Sequence, residues 1–202
     1  MLNGSSKANG NTYQALSEIG MQLEKEGIAF EIFQIGGEPV RDCIGCGQCN
    51  ESGCVFSNDV VNEFIQKAKE ADGFVFGTPV YYAHSSGRIL AFLDRVFCSS
   101  IKIFEFKPAA AISVARRGGC TSAIDDINKY FAYSQMPIVP STYWNLAYGA
   151  VPGQVQQDEE GLATMRNLGR NMAWMLKCFA KGKEMGIEIP KTERGIKTNF
   201  IK

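Results

Sequence analysis

Short, nearly continuous apolar runs alternate along this chain with stripes of apolar residues spaced three or four apart. The runs predict strands at Ala29 to Gln34, Gly73 to Gly77 and Ala109 to Ala115, with a further strand between Ile138 and Asn145. The stripes predict helices. Tyr13, Leu16, Ile19 and Leu23 mark one, and Val61, Phe64, Ile65 and Ala68 a second, with Asn58 or Asp59 placed to cap it. Ile89, Leu90, Leu93, Val96 and Phe97 mark a third, and Ile124, Ile127 and Phe131 a fourth. A long last helix runs through Leu162, Met165, Leu168, Met172, Met175, Leu176 and Phe179, where the methionines read as packing. Strands alternating with helices imply an α/β fold whose parallel sheet is wrapped on both sides. Residues 1–185 read as one domain and the polar residues 186–202 as a tail, with no internal repeat. Only Met1, Leu2 and Asn3 precede the first polar loop. A first strand in such a sheet is central, so the expectation is a strand that begins upstream of this numbering.

Three loops follow predicted strands and open helices, where ligands of parallel α/β sheets sit. The first is Asn3-Gly4-Ser5-Ser6-Lys7-Ala8-Asn9-Gly10-Asn11-Thr12. Ser5, Ser6, Asn9, Asn11 and Thr12 offer donors at a helix start and Lys7 a counter-charge, which suits a phosphate. A polar turn that merely caps the helix is the alternative. The loop has neither the G-x-x-x-x-G-K-[ST] nor the G-x-G-x-x-G spacing. The second loop holds Thr78, Pro79, Val80, Tyr81, Tyr82, Ala83 and His84. Its aromatic and aliphatic faces and backbone donors suit a flat heteroaromatic ring; alternatively its tyrosines pack on the fold. The third holds Ala115, Arg116, Arg117, Gly118, Gly119 and Cys120. Its glycines let backbone approach a ligand, and its arginines either meet a nucleotide phosphate or form a solvated charge pair.

Composition narrows the classes. Lys plus Arg and Asp plus Glu each count 21, a formal net charge of zero, which gives no electrostatic case for a nucleic-acid or anionic-membrane partner. No apolar run approaches the roughly 18 residues of a membrane span, and MLNGSSKANG lacks a signal-peptide pattern, so a cytoplasmic protein is expected. Seven cysteines are present, and Cys43, Cys46, Cys49 and Cys54 fall inside one glycine-rich loop after the second predicted strand. In a reducing compartment such clustering points to metal or redox chemistry. Cys98 and Cys178 lie in apolar helical contexts and read as small buried residues. Cys120 reads as a neighbour of the ligand ring or as core. Tyr143 and Trp144 read as the end of a strand, walling the ligand side or packed inside.

Together the loops resemble the NAD(P)H-dependent FMN reductase family of flavodoxin-like proteins. The resemblance rests on Gly4-Ser5-Ser6-Lys7 with Gly10-Asn11-Thr12, on Thr78-Pro79-Val80-Tyr81, and on Ser86-Gly87 followed by Leu90, Phe92, Leu93, Asp94 and Arg95. It spans roughly residues 1 to 145, and Ser6 stands where the family often has Pro. It implies a flavodoxin-like three-layer sandwich with a central five-stranded parallel sheet. It also implies FMN phosphate in the first loop, the flavin ring against the second and third, and NAD(P)H as electron donor. Family members usually dimerise, so a homodimer is expected. Leu93-Asp94-Arg95 resembles the family's helix signature and reads as structural. The spacing Cys43-x2-Cys46-x2-Cys49-x4-Cys54 resembles the iron–sulfur flavoprotein branch. Four thiolates on one loop suit a [4Fe–4S] cluster, with a tetrahedral zinc as rival. The chemistry is the cofactor's, so no catalytic side chain is nominated. The electron donor and acceptor are small molecules or redox proteins on this reading. Two alternatives stand beside it: a cluster-free NAD(P)H-dependent quinone or flavin reductase, and a non-enzymatic redox-sensing module on the same scaffold.

Overall fold

The computed structural model describes residues 1–200 and shows five parallel strands in the order β2-β1-β3-β5-β6. These are β1 (Leu2–Asn3), β2 (Phe33–Gln34), β3 (Phe74–Tyr81), β5 (Ala109–Ala115) and β6 (Leu146–Tyr148). A short β4 (His84–Ser85) folds back antiparallel on the end of β3. The helices are α1 (Asn11–Lys25), α2 (Val61–Glu70), α3 (Gly87–Ser100), α4 (Cys120–Tyr133) and α5 (Glu159–Glu184). The order and connectivity are those of a flavodoxin-like sheet.

Side chains alternate across the central strands, so each strand serves two cores. Phe74 and Phe76 of β3 and Ala109 and Ala111 of β5 face the layer of α2, α3 and α4. Val75, Ala110, Ile112 and Val114 face α1 and α5. The first layer is aromatic: Phe64 meets Phe33, Phe76 and Phe92 edge to face at 5.3, 5.9 and 5.2 Å. Small alanines on β5 leave room for these rings. In the second layer Met165, Leu168 and Met172 of α5 are buried against Leu16 and Ile19 of α1. Met165 and Met172 are core residues, as their spacing implied, whereas Met175 is half-buried and Phe179, at the end of the same stripe, is exposed.

Three predicted strands come out differently. Residues 29 to 32 form no ladder, because only Phe33 and Gln34 have strand partners, Leu2 and Asn3 of β1. Ile138 makes a single bridge to Ala109 and the chain then leaves the sheet, rejoining it at Leu146. Pro137 and Pro140 flank that bridge and have no N–H to extend it. The strand starting at Phe74 runs on to Tyr81, beyond the expected Gly77.

Candidate functional site

The carboxyl ends of β1, β3, β5 and β6 bring three loops to one edge of the sheet. The first is held from below. Asn3, fully buried at the end of β1, accepts from the Ser5 backbone N–H at 3.1 Å and donates to the Lys7 and Ala8 carbonyls and to Gln34 Oε1. Gln34 in turn donates to the Ser5 carbonyl at 2.6 Å. The Ser5 hydroxyl accepts from the Lys7 backbone N–H at 3.1 Å, which tightens the turn. A Cβ on Gly4 would sit 2.8 Å from the Gly77 carbonyl, so the loop crosses β3 at a distance only glycine permits. Ser6, Lys7 and Asn9 are left exposed above this frame.

The start of α1 is open. Its N-cap is Gly10, no side chain caps its first turn, and no acid stands there. The starts of α3 and α5, by contrast, are closed by Ser86 and Asp158. Free N–H groups at the positive end of a fifteen-residue helix suit an anion. Of the residues assigned to it, Ser6, Lys7 and Asn9 face outward. The Asn11 side chain is engaged elsewhere, and the Thr12 methyl packs inward. Asn11 donates to the Val151 carbonyl at 2.9 Å and accepts from the Val155 N–H at 3.3 Å, and buried Thr12 lies against Gly77.

The second loop is a β-hairpin. Val80 pairs with Ser85 and Tyr81 with His84, and the turn residues Tyr82 and Ala83 both take positive φ, 50° and 62°. Two left-handed residues give the tight turn that suits twisted strands, though neither is the usual Asn or Gly. The hairpin is anchored at its base. The buried Thr78 hydroxyl accepts from the Ser86 N–H at 3.1 Å, and the Ser85 hydroxyl donates to the Ala123 carbonyl at 2.7 Å. Its tip rests on the third loop. Gly119 has φ +86°, and a Cβ there would fall 2.5 Å from Ala83 Cα. Pro79 and Val80 are half-buried, and Tyr81 and Tyr82 project into solvent, Tyr82 being 98% exposed. Ala115 ends β5 buried, while Arg116, Arg117 and Gly118 are exposed at the rim. Cys120 turns into the core, and burial pushes its thiol up. Tyr143 and Trp144 precede β6 rather than ending a strand. They pack edge to face at 4.8 Å, and Tyr148 takes the place at the carboxyl end.

The cysteine loop leaves the same edge after β2 and runs down α3. Arg88 donates to the Gly37 and Glu38 carbonyls. One face of α3 continues through Arg95, seven residues on, which is about two turns. The Arg95 side chain is the hub of the loop. It is 1% exposed, pairs with Asp59, and donates to the Phe56 carbonyl at 2.6 Å, the Arg41 carbonyl at 3.4 Å and Cys54 Sγ at 3.3 Å. Burial opposes its charge, but Asp59 and Cys54 outweigh burial and raise its pKa. Asn62 clamps the far end, accepting from the Cys54 N–H at 2.9 Å and donating to the Cys54 carbonyl at 2.8 Å. Gly45, Gly47 and Gly53 have φ of 64°, 67° and 118°, the left-handed turns that let one loop present several thiols inward.

Cys43, Cys46, Cys49 and Cys54 line one small recess of about 20 Å³, with Phe56, Arg95 and a fifth cysteine, Cys98. Cys98 is not the buried packing residue its helical context suggested; it is exposed on α3, and so is Cys178 on α5. Partial burial and the adjoining Cys43 thiol push the Cys98 thiol up to about 11. Burial, followed by the charge of Cys54, raises the Cys49 thiol too. Among the described residues no three cysteine, histidine or acidic side chains already stand at ligating spacing around a single metal ion. The donor set is all sulfur, on a glycine-hinged loop backed by one buried cation, and its chemistry fits a thiolate-ligated iron–sulfur cluster or zinc. Asn3, Gln34, Arg95 and Cys98 are the positioning and lining residues that sequence reasoning did not assign to the site. A buried amide at the end of a central strand is the signal that marks Asn3.

This flavodoxin-like fold, with an open helix start and an aromatic hairpin at the carboxyl edge, is that of an FMN-dependent oxidoreductase. The model of the NADPH-dependent FMN reductase family matches residues 1–150, and the chain belongs to that family. An iron-sulfur flavoprotein of Methanocaldococcus jannaschii is 32% identical over 190 residues, covering 89% of this chain and 97% of that one. One from Methanosarcina thermophila is 24% identical, covering 89% and 95%. Among solved structures, a flavone reductase superposes with TM-score 0.69 at 18% identity over 89% of this chain, which spans 62% of its length. An archaeal flavodoxin gives TM-score 0.59 at 15% identity, covering 87% and 95%. These superpositions carry the fold. No helix among the described residues is long and apolar enough to cross a membrane.

Proposed function

We propose that this protein is a cytoplasmic electron-transfer flavoprotein that links reduced nicotinamide to a further acceptor through FMN and a [4Fe–4S] cluster. Bound FMN would supply hydride acceptance and stepwise electron release. The open start of α1, with Ser6, Lys7 and Asn9 above it, would hold the phosphate, while Ser5 shapes the turn beneath. Asn11 and Thr12 would act there through their backbone N–H groups, their side chains being used to dock the 149–155 segment and to pack on β3. Thr78, Pro79, Val80, Tyr81 and Tyr82 would line one side of the ring site, and Ala115, Arg116, Gly118 and Gly119 the other. Arg116, exposed at the rim, would meet a phosphate of the incoming nucleotide. Cys43, Cys46, Cys49 and Cys54 would hold the cluster, with Arg95 supporting Cys54.

The observation that carries this reading is the convergence of all four loop cysteines on one recess beside a buried arginine. The iron-sulfur flavoprotein relatives support it. The acceptor is a small molecule or a redox protein, and the working unit is a homodimer. Anaerobic reconstitution with iron and sulfide tests the cluster. Close to four irons per chain and a paramagnetic signal on reduction are expected of a cubane. Fewer than about one iron per chain, with FMN bound, would remove the cluster and leave a plain flavin reductase.

A further inference from the structure

The recess holds five cysteines, one more than a cubane uses. The fifth comes from a different element. Cys43, Cys46 and Cys49 belong to a loop held by its contacts with α3, whereas Cys98 stands on α3 itself. Arg88, Arg95 and Cys98 are spaced by seven and three residues, so they share one helix face. The loop follows that face downward: Gly37 and Glu38 bond to Arg88, Arg41 bonds to Arg95, and Cys43 arrives beside Cys98. Cys98 adjoins both Cys43 and Cys49, while Cys54 Sγ accepts from the Arg95 guanidinium, about one turn back on the same helix face.

On this basis we propose that Cys98 is a ligand position of the metal site, able to take the fourth iron in place of Cys54. This rests on the cluster reading above. The exchange involves no net oxidation. The Fe–S bond to Cys54 breaks as a bond to Cys98 Sγ forms, and the proton leaving the Cys98 thiol passes to the Cys54 sulfur. Arg95, bonded to Cys54 Sγ and neutralised by Asp59, keeps the released sulfur beside the recess for the reverse exchange. A second thiol on a rigid helix therefore guards the fourth iron, the one whose loop ligand stands farthest along the chain from the other three.

The test loads anaerobically purified full-length protein with ferrous iron and sulfide. Iron and acid-labile sulfide per chain are measured, and the electron paramagnetic resonance signal is recorded after reduction. Wild type, Cys54→Ala, Cys98→Ala and the double variant are compared, with FMN content and far-UV circular dichroism reporting the fold. Both single variants are expected to keep at least about half the wild-type iron, and the double variant to fall below about one iron per chain. The signal of Cys54→Ala should also shift from that of wild type, since its fourth ligand has changed. A folded, FMN-bearing Cys54→Ala that takes up no more iron than the double variant overturns the proposal. Where the alanine variant fails to fold, Cys54→Ser keeps an oxygen for Arg95 to bond and is read in the same way. A folded wild type that loads no iron overturns the cluster reading itself, and this inference with it.

Discussion

Replacing Arg95 by methionine keeps an apolar stem in α3 and removes the guanidinium. Four partners lose their donor: Asp59, Cys54 Sγ and the carbonyls of Arg41 and Phe56. The most costly consequence is at Asp59, whose side chain is only 8% exposed and would keep a charge with no cation beside it. Breaking a buried pair from one side costs about 3–5 kcal/mol, because the remaining charge is neither solvated nor paired. The lost bonds to the two carbonyls add to this, but they share the same loop, so their costs do not simply sum. About 4 kcal/mol is a large share of the roughly 5–15 kcal/mol that holds a domain together. With a urea slope of about 2 kcal/mol per molar, the unfolding midpoint falls by about 2 M. The assay is equilibrium urea unfolding of the flavin-free protein, followed by far-UV circular dichroism. Asp59→Asn in the same background removes the stranded charge and should recover part of the loss, and the cycle isolates the pair. An Arg95→Met midpoint within about 0.5 M of wild type, or no recovery on adding Asp59→Asn, would refute the argument that this pair anchors the cysteine loop.

Ser6→Ala with Asn9→Ala should weaken FMN binding about tenfold with no change in unfolding midpoint, read by flavin fluorescence titration; both side chains are exposed and neither supports the loop frame. The same change at Asn11 and Thr12 should lower stability as well as affinity, because Asn11 docks the 149–155 segment and Thr12 is buried. Gly119→Ala should cost more than about 1 kcal/mol in urea unfolding, since it combines a positive φ with a Cβ 2.5 Å from Ala83 Cα, and it should alter the bound-flavin spectrum by moving the hairpin. Light scattering of the FMN-bound protein at micromolar concentration should give the mass of a dimer; a monomer would discard that part of the proposal.

The alternation of apolar runs and helical stripes was enough for the α/β layering, because strands buried on two faces and helices buried on one each leave a local pattern. Val61, Phe64, Ile65 and Ala68 fall on the buried face of α2, and Ala109 to Ala115 is fully buried as β5. The three loops were legible for the same reason: each follows a strand and opens a helix, and their chemistry is written in consecutive residues. Strand ends were not legible, since a ladder lasts only as long as its partner does; β2 stops where β1 stops, and the segment after Ile138 leaves the sheet between two prolines. The roles of single side chains depended on distant ones in the same way. Asn11 reads as a phosphate donor until Val151 and Val155 fold over it. Cys98 reads as a small packing residue until a loop some fifty positions earlier is laid along α3, tied at Arg88 and Arg95, and sets Cys43 and Cys49 beside it. Periodicity records which face of an element is buried, but a loop's partners are chosen by contacts between residues far apart in the chain, and no local pattern encodes those.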